Sequence, residues 1–159
     1  TDRIKEANEY AKQHSKARIC VSQINYSLAE TTPERLGDDT LVCMTDAEFN
    51  AYMEMKLPVM AFSSQAKGFF AKLAAGEDLK SKAIERFLTE ENLKRFERVK
   101  EVAAQTGLSP SAVALSFLTC NPLPISAVFS CRTQEQMKDT LTAMNAKLDE
   151  KTVAYLEKG

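Results

Sequence analysis

Two stretches of the chain carry residue types suited to holding an anion. The first is Phe62-Ser63-Ser64-Gln65-Ala66-Lys67-Gly68, which follows the apolar run Pro58-Val59-Met60-Ala61. Small residues let backbone N–H groups come close to an anion, and Lys67 adds positive charge. The second is Phe129-Ser130-Cys131-Arg132-Thr133-Gln134-Glu135-Gln136. Thr133 to Gln136 has the form of a capping box, and the helix start it opens offers free N–H groups and the positive end of a dipole. Arg132 stands just ahead of that start, where its planar fork suits two hydrogen bonds to a phosphate. Gln136 and Thr140 are four residues apart and share a helix face. Each stretch also has a plainer reading: a small-residue loop, a solvated arginine, a threonine that only caps. Gln23 is a third candidate, an amide in a run of Ile, Cys and Val. A buried amide needs partners, which are either neighbouring backbone or the amide of a ligand. Tyr26, just beyond, reads as packing.

Other chemistries find little support. His14 is the only histidine, and it stands between Lys12 and Lys16 at what reads as a solvated helix end, so no Ser–His–Asp set is expected. Cys20, Cys43, Cys120 and Cys131 are well separated with no CxxC, so no metal site is expected and the thiols read as reduced, in a cytoplasmic protein. There is no GxGxxG and no Walker loop, and the carboxylates are scattered. Among 159 residues, 44% are hydrophobic and 27% charged, with 21 Lys and Arg against 22 Asp and Glu. That is enough apolar content for a core, and the near-zero net charge gives no drive toward nucleic acid or an anionic membrane. No apolar run approaches the ~18 residues of a membrane span. The start, Thr1-Asp2-Arg3-Ile4-Lys5, is not a signal peptide and lacks an initiating Met, from which processing or a fragment is expected.

The elements that must position these residues follow from periodicity and punctuation. Residues 2–14 read as an amphipathic helix with Ile4, Ala7 and Ala11 on one face. Arg18 to Ile24 reads as a buried strand, and 27–44 as a long irregular loop of the kind that often binds. Thr45 to Glu48 is a capping box for a helix to about Met55. Pro58 to Phe62 reads as a second buried strand. Residues 77–88 read as a mobile, partly helical insertion. A helix over 90–106 places Leu93, Phe96, Val99, Val102 and Ala103 on one face and stops at Gly107. Ser109-Pro110 opens another helix that ends before Asn121. Ile125 to Phe129 is a third strand, a helix runs from Thr133 to about Met144, and Asp149 caps a last one to Lys158. Strands that alternate with helices predict an α/β fold with a parallel sheet. Three strands make a poor closed sheet, so the chain reads as part of something larger.

Taken together and in order, these stretches resemble the C-terminal half of an aldo-keto reductase over essentially the whole chain, 1–159. Val21 to Leu28 looks like that family's sixth barrel strand, Pro58 to Gly68 its seventh strand and loop, and Pro124 to Arg132 with Gln136 and Thr140 its eighth strand and helix. Thr1 to Ile4 and Gly107 to Leu115 are similar to neighbouring helices. The resemblance implies a partial (β/α)8 TIM barrel, with about three parallel strands and flanking helices, that binds NADP and serves the reduction of aldehydes or ketones. By position, Gln23 would hold the nicotinamide carboxamide and Phe62 would stack on the ring, where many members have Tyr or Trp. Ser63, Gln65 and Lys67 would line the pyrophosphate. Arg132 would meet the 2′-phosphate, with Gln136, Asp139 and Thr140 around adenine and ribose. Many members have Gly at the position of Ser130 and Asn at that of Thr140. The family's catalytic Asp, Tyr, Lys and His lie on strands that precede these, so no catalytic residue is placed here and the chain is expected to be inactive alone. The partners implied are a carbonyl substrate and either a missing N-terminal half or a second copy, since open sheet edges and an apolar inner face need cover. A stand-alone, non-catalytic binding module is the alternative. The loop at 27–44 is expected to contribute to the substrate pocket, and residues 68–90 to fold over the cofactor.

Overall fold

Helix starts are set by short polar side chains. Thr45, Thr89, Ser109, Thr133 and Asp149 each accept a hydrogen bond from the backbone N–H three residues on, which satisfies one of the donors a helix start leaves unpaired. Gly107, at φ 73°, ends the longest helix in the left-handed conformation that glycine adopts without strain. In the computed structural model, which describes residues 1–77 and 81–159, the elements in order are α1 (Asp2–Gln13), β1 (Ser22–Asn25), α2 (Pro33–Leu36), α3 (Asp46–Met55), β2 (Val59–Phe62), α4 (Phe69–Ala74), α5 (Lys82–Glu85), α6 (Glu90–Thr106), α7 (Pro110–Thr119), β3 (Ile125–Ala127), α8 (Gln134–Asn145) and α9 (Glu150–Lys158). A 3-10 turn, Ala66–Gly68, leads into α4.

The three strands form one parallel sheet in the order β1-β2-β3. Gln23, Met60 and Ser126 lie side by side in register, as do Ile24, Ala61 and Ala127 on the next rung. Side chains alternate between faces along a strand, so these two rungs face opposite ways. Ile24, Val59 and Ala61 are buried in the core with Phe69, Phe87, Val99, Phe117 and Leu156. α7 runs through that core, where every residue from Ala112 to Leu118 is buried and α4, α6, α8 and β3 pack around it. The opposite face of the sheet is bare: Gln23 and Ser126 are exposed, and Val21, Met60 and Val128 are 40%, 36% and 41% exposed.

Several expectations need correction. The strand foreseen at Arg18 to Ile24 begins only at Ser22, and Ile19 and Val21 stand exposed. The pairing starts with Ser22 N–H on the carbonyl of Pro58, and Pro58 has no N–H with which to carry the ladder further back. The 27–44 loop holds a helix, α2, capped by Thr32 with Pro33 in its first turn, and Cys43 pairs with Asn25 along the outer edge of β1. Residues 77–88 are not a loose insertion where described. Ile84 and Phe87 are anchored in the core, and Asp78–Lys80 lie outside the described residues. Ala7 is exposed rather than on a buried face of α1. On α6 the buried stripe is Asn92, Phe96, Val99 and Val102, while Leu93 points to solvent. The first turn of α6 meets polar loop backbone, which an amide can satisfy and leucine cannot.

Candidate functional site

Both stretches expected to hold an anion lie where a parallel sheet presents ligand sites, at the C-terminal ends of its strands. After Phe62 the chain leaves the sheet sharply. Ser63, Ala66 and Lys67 adopt φ of 55°, 46° and 58°, a region that side-chain-bearing residues rarely enter, and Gly68 follows at 78°. The N–H of Ala66 closes a turn on Ser63 and that of Gly68 on Gln65. Such a run of left-handed residues costs on the order of 1 kcal/mol or more per non-glycine position and persists only where neighbours hold it.

Two side chains do the holding. Ser64, buried, donates from Oγ to the carbonyl of Val128 at 2.7 Å. Gln65 donates from Nε2 to Thr140 Oγ1 at 3.3 Å, and Cys131 Sγ lies 3.4 Å from the same hydroxyl. The β2 loop is thereby tied to the end of β3 and to α8. Lys67 is two residues beyond Gln65, and Arg132 is four residues beyond Val128. Both cations are exposed, and among the described residues no ion pair or hydrogen bond engages the Arg132 guanidinium or the Lys67 ammonium.

The α8 start is a capping box, with a variation. Thr133 Oγ1 accepts from Gln136 N–H at 3.2 Å, and Gln136 Oε1 reaches back to the N–H of Arg132 at 2.8 Å rather than to that of Thr133. This fixes the backbone from which Arg132 extends. Thr140 is fully buried, so its hydroxyl serves the Gln65 and Cys131 contacts and faces no solvent. Asp139, half-buried, lies one residue before it, and its carbonyl accepts from Thr142.

Gln23 is exposed on the bare face of the sheet, which removes the backbone-satisfying reading of its amide. Phe62 belongs to the same face, two rungs further along and directly beside Asn25. Of the expected site residues, then, the fold gathers Ser63, Gln65, Lys67, Arg132, Gln136, Asp139 and Thr140 at one end of β2 and β3. Gln23 and Phe62 fall on the adjoining sheet face. Ser64 is the residue that sequence reasoning passed over. Its one signal is its place between two positive-φ stretches, which sequence does not display.

The remaining chemistry is sparse. His14 caps the C-terminus of α1, its ring stacked on Tyr10 at 4.0 Å with Nδ1 2.9 Å from the Tyr10 carbonyl. The four cysteines are free, and burial pushes the Cys43 thiol up. Among the described residues no cluster of three or more His, Cys, Asp or Glu is placed to hold a metal. A separate cavity of about 320 Å³ lies beyond β1, lined by Asn25, Tyr26, Arg35, Cys43, Arg95 and Glu157 among others, so the 27–44 loop does wall a cavity. Its arginines are committed to protein carbonyls: Arg95 to Leu28 at 2.7 Å, Arg35 to Arg86 at 2.8 Å.

The aldo/keto reductase family model matches residues 1–158. The chain belongs to the aldo/keto reductase family. Membership makes it one of a family of oxidoreductases, in line with its similarity to two such proteins. It is 28% identical over 143 residues, 87% of its length, to the uncharacterized oxidoreductase YrpG of Bacillus subtilis. It is 22% identical over 156 residues, 97% of its length, to the norsolorinic acid reductase stcV of Emericella nidulans. The chain spans about two-fifths of these relatives, 39% and 37% of their lengths. Two solved aldo-keto reductases share its fold at 17% identity. The thermostable Tm1743, solved with the inhibitor epalrestat, superposes with a TM-score of 0.61 over 94% of this chain and 42% of its own. The Klebsiella pneumoniae enzyme, solved with NADP and acetate, gives 0.60 over 99% and 44%. Among the described residues no helix is long and apolar enough to cross a membrane.

Proposed function

We propose that residues 1–159 are the NADP-holding, C-terminal portion of a (β/α)8 barrel that reduces aldehydes or ketones. The observation that carries this reading is the tie between the β2 loop and α8, Gln65 to Thr140, which puts the Lys67 loop beside the Arg132 helix start. A ligand with negative charge at two separated points fits such a pair of walls, and the Klebsiella relative's NADP is a ligand of that kind. A sheet covered by helices on one face only, with exposed Gln23, Met60 and Ser126 on the other, supports a place in a barrel wall.

In this reading Gln23 bonds the nicotinamide carboxamide and Phe62 offers its ring to the nicotinamide face. Ser63 and Lys67 meet the pyrophosphate, with Gln65 holding that loop to α8. Arg132 meets the 2′-phosphate, and Gln136, whose Oε1 serves Arg132 N–H, lies with Asp139 around adenine and ribose, while Thr140, fully buried, supports them from behind through Gln65 instead of touching the ligand. Bound NADPH supplies the hydride for carbonyl reduction. The chain's own residues bind and orient it, and the chain alone turns no carbonyl over.

The test is calorimetric titration of this chain with NADPH and NADH. NADPH is expected to bind more tightly. Arg132→Ala removes about 2 kcal/mol of charge-assisted hydrogen bonding, roughly thirtyfold in Kd, from NADPH and little from NADH. Equal losses for both remove the 2′-phosphate role from Arg132.

The bare sheet face favours a second reading, a non-catalytic binding module that covers this face with a copy of itself or another chain. A discrete oligomer that binds NADPH without consuming it supports that reading.

A further inference from the structure

The parallel ladder between β2 and β3 ends in an unusual rung. Val128 N–H still bonds the carbonyl of Ala61 at 2.9 Å, one step past the end of β3. The next acceptor along, the Val128 carbonyl, is met by a side chain: Ser64 Oγ donates to it at 2.7 Å. The chain cannot continue the ladder there because Ser63, at φ 55°, has already turned out of the sheet. Ser64 is buried, so the donor side of this bond is shielded from water.

The position of this rung gives it consequence. The loop it anchors carries Ser63 and Lys67, and the strand end it anchors to runs in four residues to Arg132. The tie at Gln65 and Thr140 is a second point of attachment, at 3.3 Å. Two attachments fix both separation and tilt, whereas one leaves a hinge. Ala66 and Lys67, both left-handed, are strained positions that the attachments hold in place.

We infer that Ser64 is a positioning residue: its hydroxyl, through Val128, sets the spacing between the Lys67 wall and the Arg132 wall for a ligand that spans both. This rests on the dinucleotide reading proposed above. The side chain touches no ligand itself. It acts by pre-organising two walls whose ligand contacts are made only when the spacing is right.

A brace differs from a packing residue in what its loss does to short and long ligands. NADPH spans both walls, and adenosine 2′-phosphate rests on the Arg132 wall alone. Titrations of the wild-type chain and of S64A with each compound separate the cases. S64A removes one oxygen and adds no volume. It is expected to weaken NADPH about fivefold to tenfold, the worth of one hydrogen bond, and to leave adenosine 2′-phosphate unchanged. S64T keeps the hydroxyl and is expected to restore NADPH binding. If S64A does not fold, S64C, a weaker donor of similar size, takes its place with a smaller loss in the same pattern. The inference is overturned if the folded variant binds NADPH as the wild type does, or if both compounds weaken alike. If the wild-type chain binds neither compound, the dinucleotide reading falls and the brace with it. If the wild type binds both and S64A is silent, the brace alone falls.

Discussion

Tyr26 follows β1 directly and is buried, its ring edge-on to Phe117 with centroids 5.7 Å apart. Burial pushes its phenol well above the ordinary tyrosine range, the negative charge of Glu157 adds to the shift, and Arg95 opposes it. The sign follows from linkage. The folded chain holds the phenolic proton more tightly than the unfolded one, so this contribution to stability is whole below the unfolded value of about 10 and is lost as pH rises above it. Tyr26→Phe keeps the ring packing and removes the titration. Its denaturation midpoint is expected to fall less steeply than the wild type's above pH ~10, and identical slopes would assign the alkaline loss to other groups. At this scale the sequence was legible for charges and caps. Arg132 and Lys67 are exposed, and Thr133 caps as its type predicts. It was opaque for Ser64 and Thr140, because a hydroxyl's partner is chosen by neighbours that are distant in sequence, 64 residues away for Ser64 and 75 for Thr140.

Among the elements, α6 depends most on a single polar side chain. Asn92 is fully buried and its amide is saturated: Oδ1 accepts from Glu30 N–H at 2.9 Å, and Nδ2 donates to the carbonyls of Glu30 at 2.8 Å and Phe87 at 2.7 Å. It joins the loop after β1, the turn after α5 and the first turn of α6. Asn92→Ala leaves the buried Phe87 carbonyl and the part-buried Glu30 N–H and carbonyl without partners, at a cost of about 2 kcal/mol read as a lowered denaturant midpoint. Asn92→Asp is expected to recover part of this for the N–H while repelling the two carbonyls. A loss below about 0.5 kcal/mol for Asn92→Ala would mean that water reaches these groups. Helix existence and caps were legible here because both are local: α6 occupies the expected span and ends at Gly107. Which residues it buries was not. Periodicity admits Leu93 as readily as Asn92, and the choice belongs to the loop backbone that docks against the first turn.

At the scale of the whole molecule, the sheet is the deciding feature, with one face under α7 and its neighbours and the other exposing Val21, Met60 and Val128. The cover proposed for this face is a partner or a second copy. Sedimentation of this chain is expected to show concentration-dependent association, and Met60→Lys, a charge at the centre of the face, to weaken it while leaving the melting temperature nearly unchanged. Association that ignores the substitution would place the contact elsewhere. Local patterning alone determined the α/β alternation and the starts and stops of α1, α3, α6, α7, α8 and α9, and it singled out the two stretches proposed to hold an anion, because caps, turns and apolar runs act over a few residues. The motifs taken together carried the resemblance to aldo-keto reductases, which the family match bears out. Only the tertiary structure decided that β1 starts at Ser22, that Gln23 is exposed, that Asn92 replaces Leu93 inside, and that Ser64 and Gln65 lash the loop after β2 to the end of β3 and to α8. Those outcomes depend on which groups meet across the fold, and a buried polar atom takes whichever partner the packing brings within about 3 Å.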